Sequence, residues 1–112
     1  ETLRARSSLA NCYYAAGRYE EAISQFAQVL QDRERVLGPD HPDTLRSRGS
    51  LANSYRAAGL PQEALGRHRG LLPDRERVLG PDHLSTQATR KNLASTEAEL
   101  AGGPGKAIGG EA

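Results

Sequence analysis

The chain has 112 residues, a formal net charge of +1 and one cysteine. That charge is too small to draw nucleic acid or an anionic membrane by net charge alone, and no apolar run approaches the roughly 18 residues a membrane helix needs. A chain this short buries one modest core, and with a single Phe and no Trp that core has to be built from small and aliphatic side chains.

Residues 2–16 carry Leu3, Leu9, Ala10, Tyr13 and Ala16 at spacings that gather them on one side of a helix. Cys12 takes an alanine-like place in that helix, which predicts a buried, inert thiol. Gly17 closes the first helix, and Tyr19-Glu20-Glu21 opens a second that runs to Leu37. Ala22, Ile23, Phe26, Val29, Leu30, Arg33 and Leu37 step along one face of it. Gly38-Pro39 stops this helix, and Asp40, His41 and Pro42 supply a cap acceptor and a proline tolerated in a first turn. A third helix over about 43–58 repeats the first with Leu45, Leu51, Ala52, Tyr55 and Ala58, ending at Gly59.

The fourth helix is weaker in its own sequence. Gly66 and Gly70 each cost up to about 1 kcal/mol relative to Ala, and Pro73 about 3 kcal/mol in a helix interior. A bend or break near Leu72 is expected, with Asp74 recapping a short helix to Leu79. His68 is expected on a helix surface. A fifth helix begins at Ser85-Thr86 and reaches about Leu100, and residues 102–112 read as a flexible, glycine-rich tail.

The segment Val36-Leu37-Gly38-Pro39-Asp40-His41 returns as Val78-Leu79-Gly80-Pro81-Asp82-His83, an offset of 42 residues, and residues 2–43 match 44–85 at 25 of 42 positions. This is an internal repeat. It divides residues 1–101 into copies at 2–43 and 44–85 and a terminal capping helix at 86–101. A start on Glu1-Thr2 in register with Asp43-Thr44, in a chain without Met, is expected of a fragment cut at a repeat boundary.

Two-helix units with Leu9-Ala10-x-x-Tyr13 in the first helix, Gly17 after it and Glu21-Ala22 opening the second resemble the tetratricopeptide repeat. The connector Leu37-Gly38-Pro39-Asp40-His41-Pro42-Asp43-Thr44 is similar to the longer variant of kinesin light chains and of many bacterial tetratricopeptide proteins, and a bacterial source is expected. His68 in place of Phe26, Pro73, and Glu97 in place of the repeated Tyr depart from the pattern. The resemblance implies an all-α solenoid, a right-handed superhelix of about two and a half repeats and five helices. It further implies a groove lined by the first helix of each repeat, in which a peptide or protein segment binds.

By that resemblance the groove positions are Arg4, Ser7, Ser8, Asn11 and Tyr14 in the first repeat, and Arg46, Gly49, Ser50, Asn53 and Arg56 in the second. Lys91, Asn92 and Ser95 follow in the last helix. Asn amides both donate to and accept from a peptide backbone, and Arg and Lys favour carboxylates, so an acidic partner fits. The same positions would be merely solvated if the array were a spacer or the self-associating arm of a larger regulatory protein.

Asp40-His41 and Asp82-His83 invite a metal reading. Equivalent positions one repeat apart stand roughly 16–20 Å from each other, two packed helices away, whereas metal ligands converge within about 2 Å of one ion. Capping explains both pairs, and neither a metal nor a cofactor is expected. Nothing matches a nucleophile triad or a phosphate loop, so an enzyme is not expected. Asp-Arg-Glu-Arg at 32–35 and 74–77 interleaves acids with bases, as solvated faces with intrahelical pairs do, and nucleic acid is not an expected partner. The compartment expected is the cytosol. Leu3, Leu9 and Tyr13 on the first helix have no preceding helix to cover them, which predicts self-association through that end.

Overall fold

The computed structural model describes residues 2–102. Among them are five helices: α1 (Leu3–Ala15), α2 (Tyr19–Leu37), α3 (Pro42–Ala57), α4 (Pro61–Leu79) and α5 (Leu84–Leu100). The glycine-rich segment 103–112 predicted as a flexible tail lies outside the described residues. Each helix packs on the next in the chain, α1 on α2 through to α4 on α5. Links of three or four residues join them. Links that short make packed neighbours antiparallel.

Glycines make the reversals. Gly17 and Gly38 take φ of 79° and 94°, and Gly59 and Gly80 repeat them at 83° and 95°, backbone that a side chain would strain. The restarts also repeat. His41 Nδ1 accepts from the Asp43 amide, and His83 Nδ1 from the Ser85 amide, each at 3.0 Å. The cap acceptor is therefore histidine, which leaves Asp40 free to take two bonds from Arg77 at 2.9 and 3.0 Å.

The core is small, as the composition requires. Ala10, Ala22, Phe26 and Leu51 form a buried cluster with Tyr13, Ile23, Leu30 and Tyr55 against it. Alanine at the contacts lets the helices approach closely, so packing rather than side-chain bulk holds the layers. Polar ties reinforce each repeat. Arg6 binds Asp32 at 2.6 Å, and the equivalent pair one repeat on, Arg48 and Asp74, closes at 2.7 Å. The predicted intrahelical pairs exist, Arg35 with Asp32 and Arg77 with Asp74, but the same two acids also hold the preceding helix.

Four expectations fail. Pro73 does not break α4, which runs unbroken from Pro61 to Leu79. The ring is exposed, so the carbonyl it orphans can be met by water, while buried Leu71 and half-buried Arg75 anchor the turns on either side. Asp74, expected as a cap, instead pairs with Arg48 and Arg77. His68, expected on the surface, is 1% exposed. It occupies the position of Phe26 and is buried because that position faces inward whatever residue fills it. Cys12, expected to be buried, is exposed. Its equivalents Ser54 and Thr96 are fully buried; among the described residues no helix lies on the outer face of α1, as one does on theirs. Leu9 shows the same contrast, 40% exposed where its equivalent Leu51 is 2%.

Candidate functional site

Helices α1, α3 and α5 occupy the same position in successive repeats, so side chains 42 residues apart form rows across them. Asn11, Tyr14, Ser50 and Asn53 line a hollow of about 140 Å³ floored by Phe26. Tyr14 and Asn53 also line a wider hollow of about 450 Å³, with Arg56, Asn92 and Glu99. The Asn92 amide donates to Asn53 Oδ1 at 3.4 Å, tying α5 to α3 across the groove. Tyr14 stands edge-on to Tyr19, ring centroids 5.4 Å apart, which holds its ring as one wall.

A third recess of about 360 Å³ opens where the start of α1 meets the end of α2 and the start of α3. Arg4, Ser7 and Asn11 line it from α1, Arg33 from α2, and Asp43 and Arg46 from α3.

Arg33 forms part of a repeated brace. Its Nη1 donates to the Asp43 carbonyl at 3.2 Å and to Ser47 Oγ at 2.9 Å. Arg75 does the same one repeat on, to the Ser85 carbonyl at 3.3 Å and Thr89 Oγ1 at 2.6 Å. Each second helix is thereby fastened to the helix that follows it. Burial, more than the nearby guanidinium groups of Arg48 and Arg46, lowers the pKa of Arg75 from its ordinary value. At the far end of the groove Arg56 donates twice to Glu99, at 3.0 and 3.2 Å. These bonds hold the Glu99 carboxyl below its ordinary pKa.

Among the residues expected to line a groove, Arg4, Ser7, Ser8, Asn11, Tyr14, Arg46, Ser50, Asn53, Arg56 and Asn92 line one or more of these recesses. Lys91 and Ser95 line none of the three. Gly49 is buried, with the Arg75 guanidinium where its side chain would be. Sequence reasoning missed Phe26, Arg33, Asp43 and Glu99 as lining residues. The recurrence of Arg33 as Arg75 on an otherwise apolar face was the available signal for one of them. Among the described residues no group of His, Cys, Asp and Glu could hold a metal ion. No helix among them is long and apolar enough to cross a membrane.

Comparison with known proteins places these features. No curated protein matches the chain. Among solved structures, a kinesin-light-chain-like protein of Podosopora anserina with nearly identical TPR-like repeats superposes with a TM-score of 0.78 at 29% identity. The match covers 88% of this chain and 47% of that one, and a point variant of the same protein matches equally. The chain thus spans about half the length of the solved structures it matches. The family profile described as tetratricopeptide repeat matches residues 1–72. With the helix order, the 42-residue period and the solenoid packing in agreement, the chain belongs to the tetratricopeptide repeat family.

Proposed function

We propose that this chain is a cytosolic, non-enzymatic interaction module that binds an extended protein segment along the face of α1, α3 and α5. Repeats of this family mediate protein–protein interactions, and the finer reading rests on one observation. Tyr14 and Asn53 each line two adjoining hollows, so side chains from three helices border one continuous groove rather than separate dimples. Asparagine amides along its length suit a peptide backbone, which needs donors and acceptors alternately. The arginines favour a segment bearing carboxylates.

A peptide-array screen followed by titration of the best segment tests this reading. Saturable binding that Asn53→Ala weakens at least about fivefold supports it, the loss expected of one or two hydrogen bonds. Affinity untouched by Asn53→Ala places the ligand elsewhere and sinks the proposal. A second reading, self-association through the outer face of α1, is favoured by the contrast between Leu9 and Leu51. Sedimentation should then show an oligomer that Leu9→Lys dissociates.

A further inference from the structure

We propose that a recess between the α3–α4 turn and the end of α5 receives Ile108 of this chain's own C-terminal segment, with Lys106 set against Glu63. The recess measures about 440 Å³ and is lined by Gly59, Leu60, Pro61, Gln62, Glu63 and Leu100. It lies apart from the groove, for none of these residues lines the hollows described above. Leu60 within it is 48% exposed, and covering that surface with an apolar side chain is favourable. The first repeat shows how such a turn is otherwise closed. It carries Arg18 and Tyr19 where this turn has Leu60 and Pro61. Arg18 lies over the Tyr13 ring at 5.0 Å and bonds Glu21, and Tyr19 stands against Tyr14. Proline for tyrosine removes a ring and leucine for arginine a charge, which leaves the second turn open and apolar. Leu100, in the place of Ala58, adds a second apolar wall.

The occupant follows from reach and from charge. The described residues end at Gly102, two beyond Leu100. Six residues lead from there to Ile108, a span of up to about 20 Å, and Gly103-Pro104-Gly105 are of the types that turn a chain back. Ile108 is the one large apolar residue in 103–112, and Lys106 the one cation. In an extended segment residues two apart share a face, so Ile108 in the recess brings Lys106 to the same side. Glu63 is the one acid lining it. Its side chain is 56% exposed and meets Arg67 through one oxygen at 3.5 Å, leaving the other to take a second cation. The short tether holds the segment at an effective concentration on the order of millimolar, so one apolar side chain and one ion pair suffice to seat it.

A nitroxide attached at Glu111→Cys, in the full chain carrying Cys12→Ser, supplies the test. The label should broaden the methyl resonances of Leu60 and Leu100 and spare that of Val36, at the other end of the repeat. Ile108→Asp should abolish the broadening. Lys106→Glu should lower the seated fraction about threefold, as loss of one exposed ion pair does, and Glu63→Lys added to it should restore that fraction. In the unaltered chain a nuclear Overhauser contact between the Ile108 and Leu60 methyls is expected, a readout that needs no variant to fold. Weak broadening spread evenly over all methyls would mean a segment that never settles, and would overturn the proposal. Broadening centred on Tyr14 and Asn53 would seat the segment in the groove and overturn it too, as would Leu60 broadening that survives Ile108→Asp. Labelled chain mixed with unlabelled, isotope-enriched chain separates the remaining source. Broadening of the enriched chain in that mixture comes from a second copy and refutes the intramolecular seat.

Discussion

Replacing His68 by Phe, the residue of the first repeat, should stabilise the protein, and more so in acid. The imidazole is 1% exposed and neither ring nitrogen has a hydrogen-bond partner among the described residues. An unsatisfied buried polar group costs about 1–3 kcal/mol, and Phe removes that cost while adding apolar burial. At about 4–8 °C per kcal/mol for a domain of this size, the melting temperature should rise by roughly 4 °C or more. Burial, with help from the charges of Arg56 and Arg75, lowers the pKa of His68 below its ordinary 6.5. The folded state therefore binds fewer protons than the unfolded state once pH falls below 6.5, and stability is lost on acidification at up to about 1.4 kcal/mol per pH unit. Urea unfolding followed by circular dichroism at pH 7.5 and 5.5 separates the two effects. The stabilisation should appear at both pH values and be larger at 5.5, by up to about 1.4 kcal/mol, the most that single-proton linkage allows over that interval. A variant that melts lower at pH 7.5 would show the pocket too tight for a phenyl ring. An equal gain at both pH values would show that His68 already titrates in the folded state.

Ser47→Ala should destabilise by about 1–2 kcal/mol, because it takes one of two acceptors from the buried Arg33 guanidinium; an unchanged urea midpoint would mean that water satisfies the arginine. Pro73→Gln, copying Gln31, should raise the melting temperature by restoring a helix donor worth up to about 3 kcal/mol together with propensity. A lowered melting temperature would show that the unfolded chain benefits more than α4 from the freedom regained.

The five helices were legible because their signals are local and occur twice. Glycine after Ala16 and after Ala58, and Gly-Pro after Leu37 and Leu79, stop helices by backbone geometry that no tertiary contact has to assist. The exceptions have in common that the answer lay in a neighbour rather than in the residue. His68 looks like a surface residue between Arg67 and Arg69, yet position 68 points inward because position 26 does. Cys12 reads as core by its alanine-like setting, and among the described residues the helix that covers Ser54 has no counterpart over α1. A bend or break at Pro73 was a forecast from propensity, and the break is overridden by packing one turn on either side. In the groove, first-helix residues were placed from a family pattern; Arg33 enters from α2, which no first-helix pattern encodes, and Glu99, on the last turn of α5, is drawn in by its bonds from Arg56.

The polar ties also determine where the helices stop sliding. Contact faces built on Ala10, Ala22, Ala52 and Ala64 are nearly smooth, and apolar burial is indifferent to small axial displacements of one rod along another. Arg6 with Asp32 and Arg48 with Asp74 index each helix pair at one height, and Arg33 and Arg75 index each pair against the next. Such contacts are directional and lose most of their strength over an ångström of slip. Loosening the Arg33 brace should therefore change the pitch at which successive repeats climb before it melts any helix. Because Asn11, Asn53 and Asn92 ride on that climb, a ligand spanning all three would sense a fault at Ser47 without touching it.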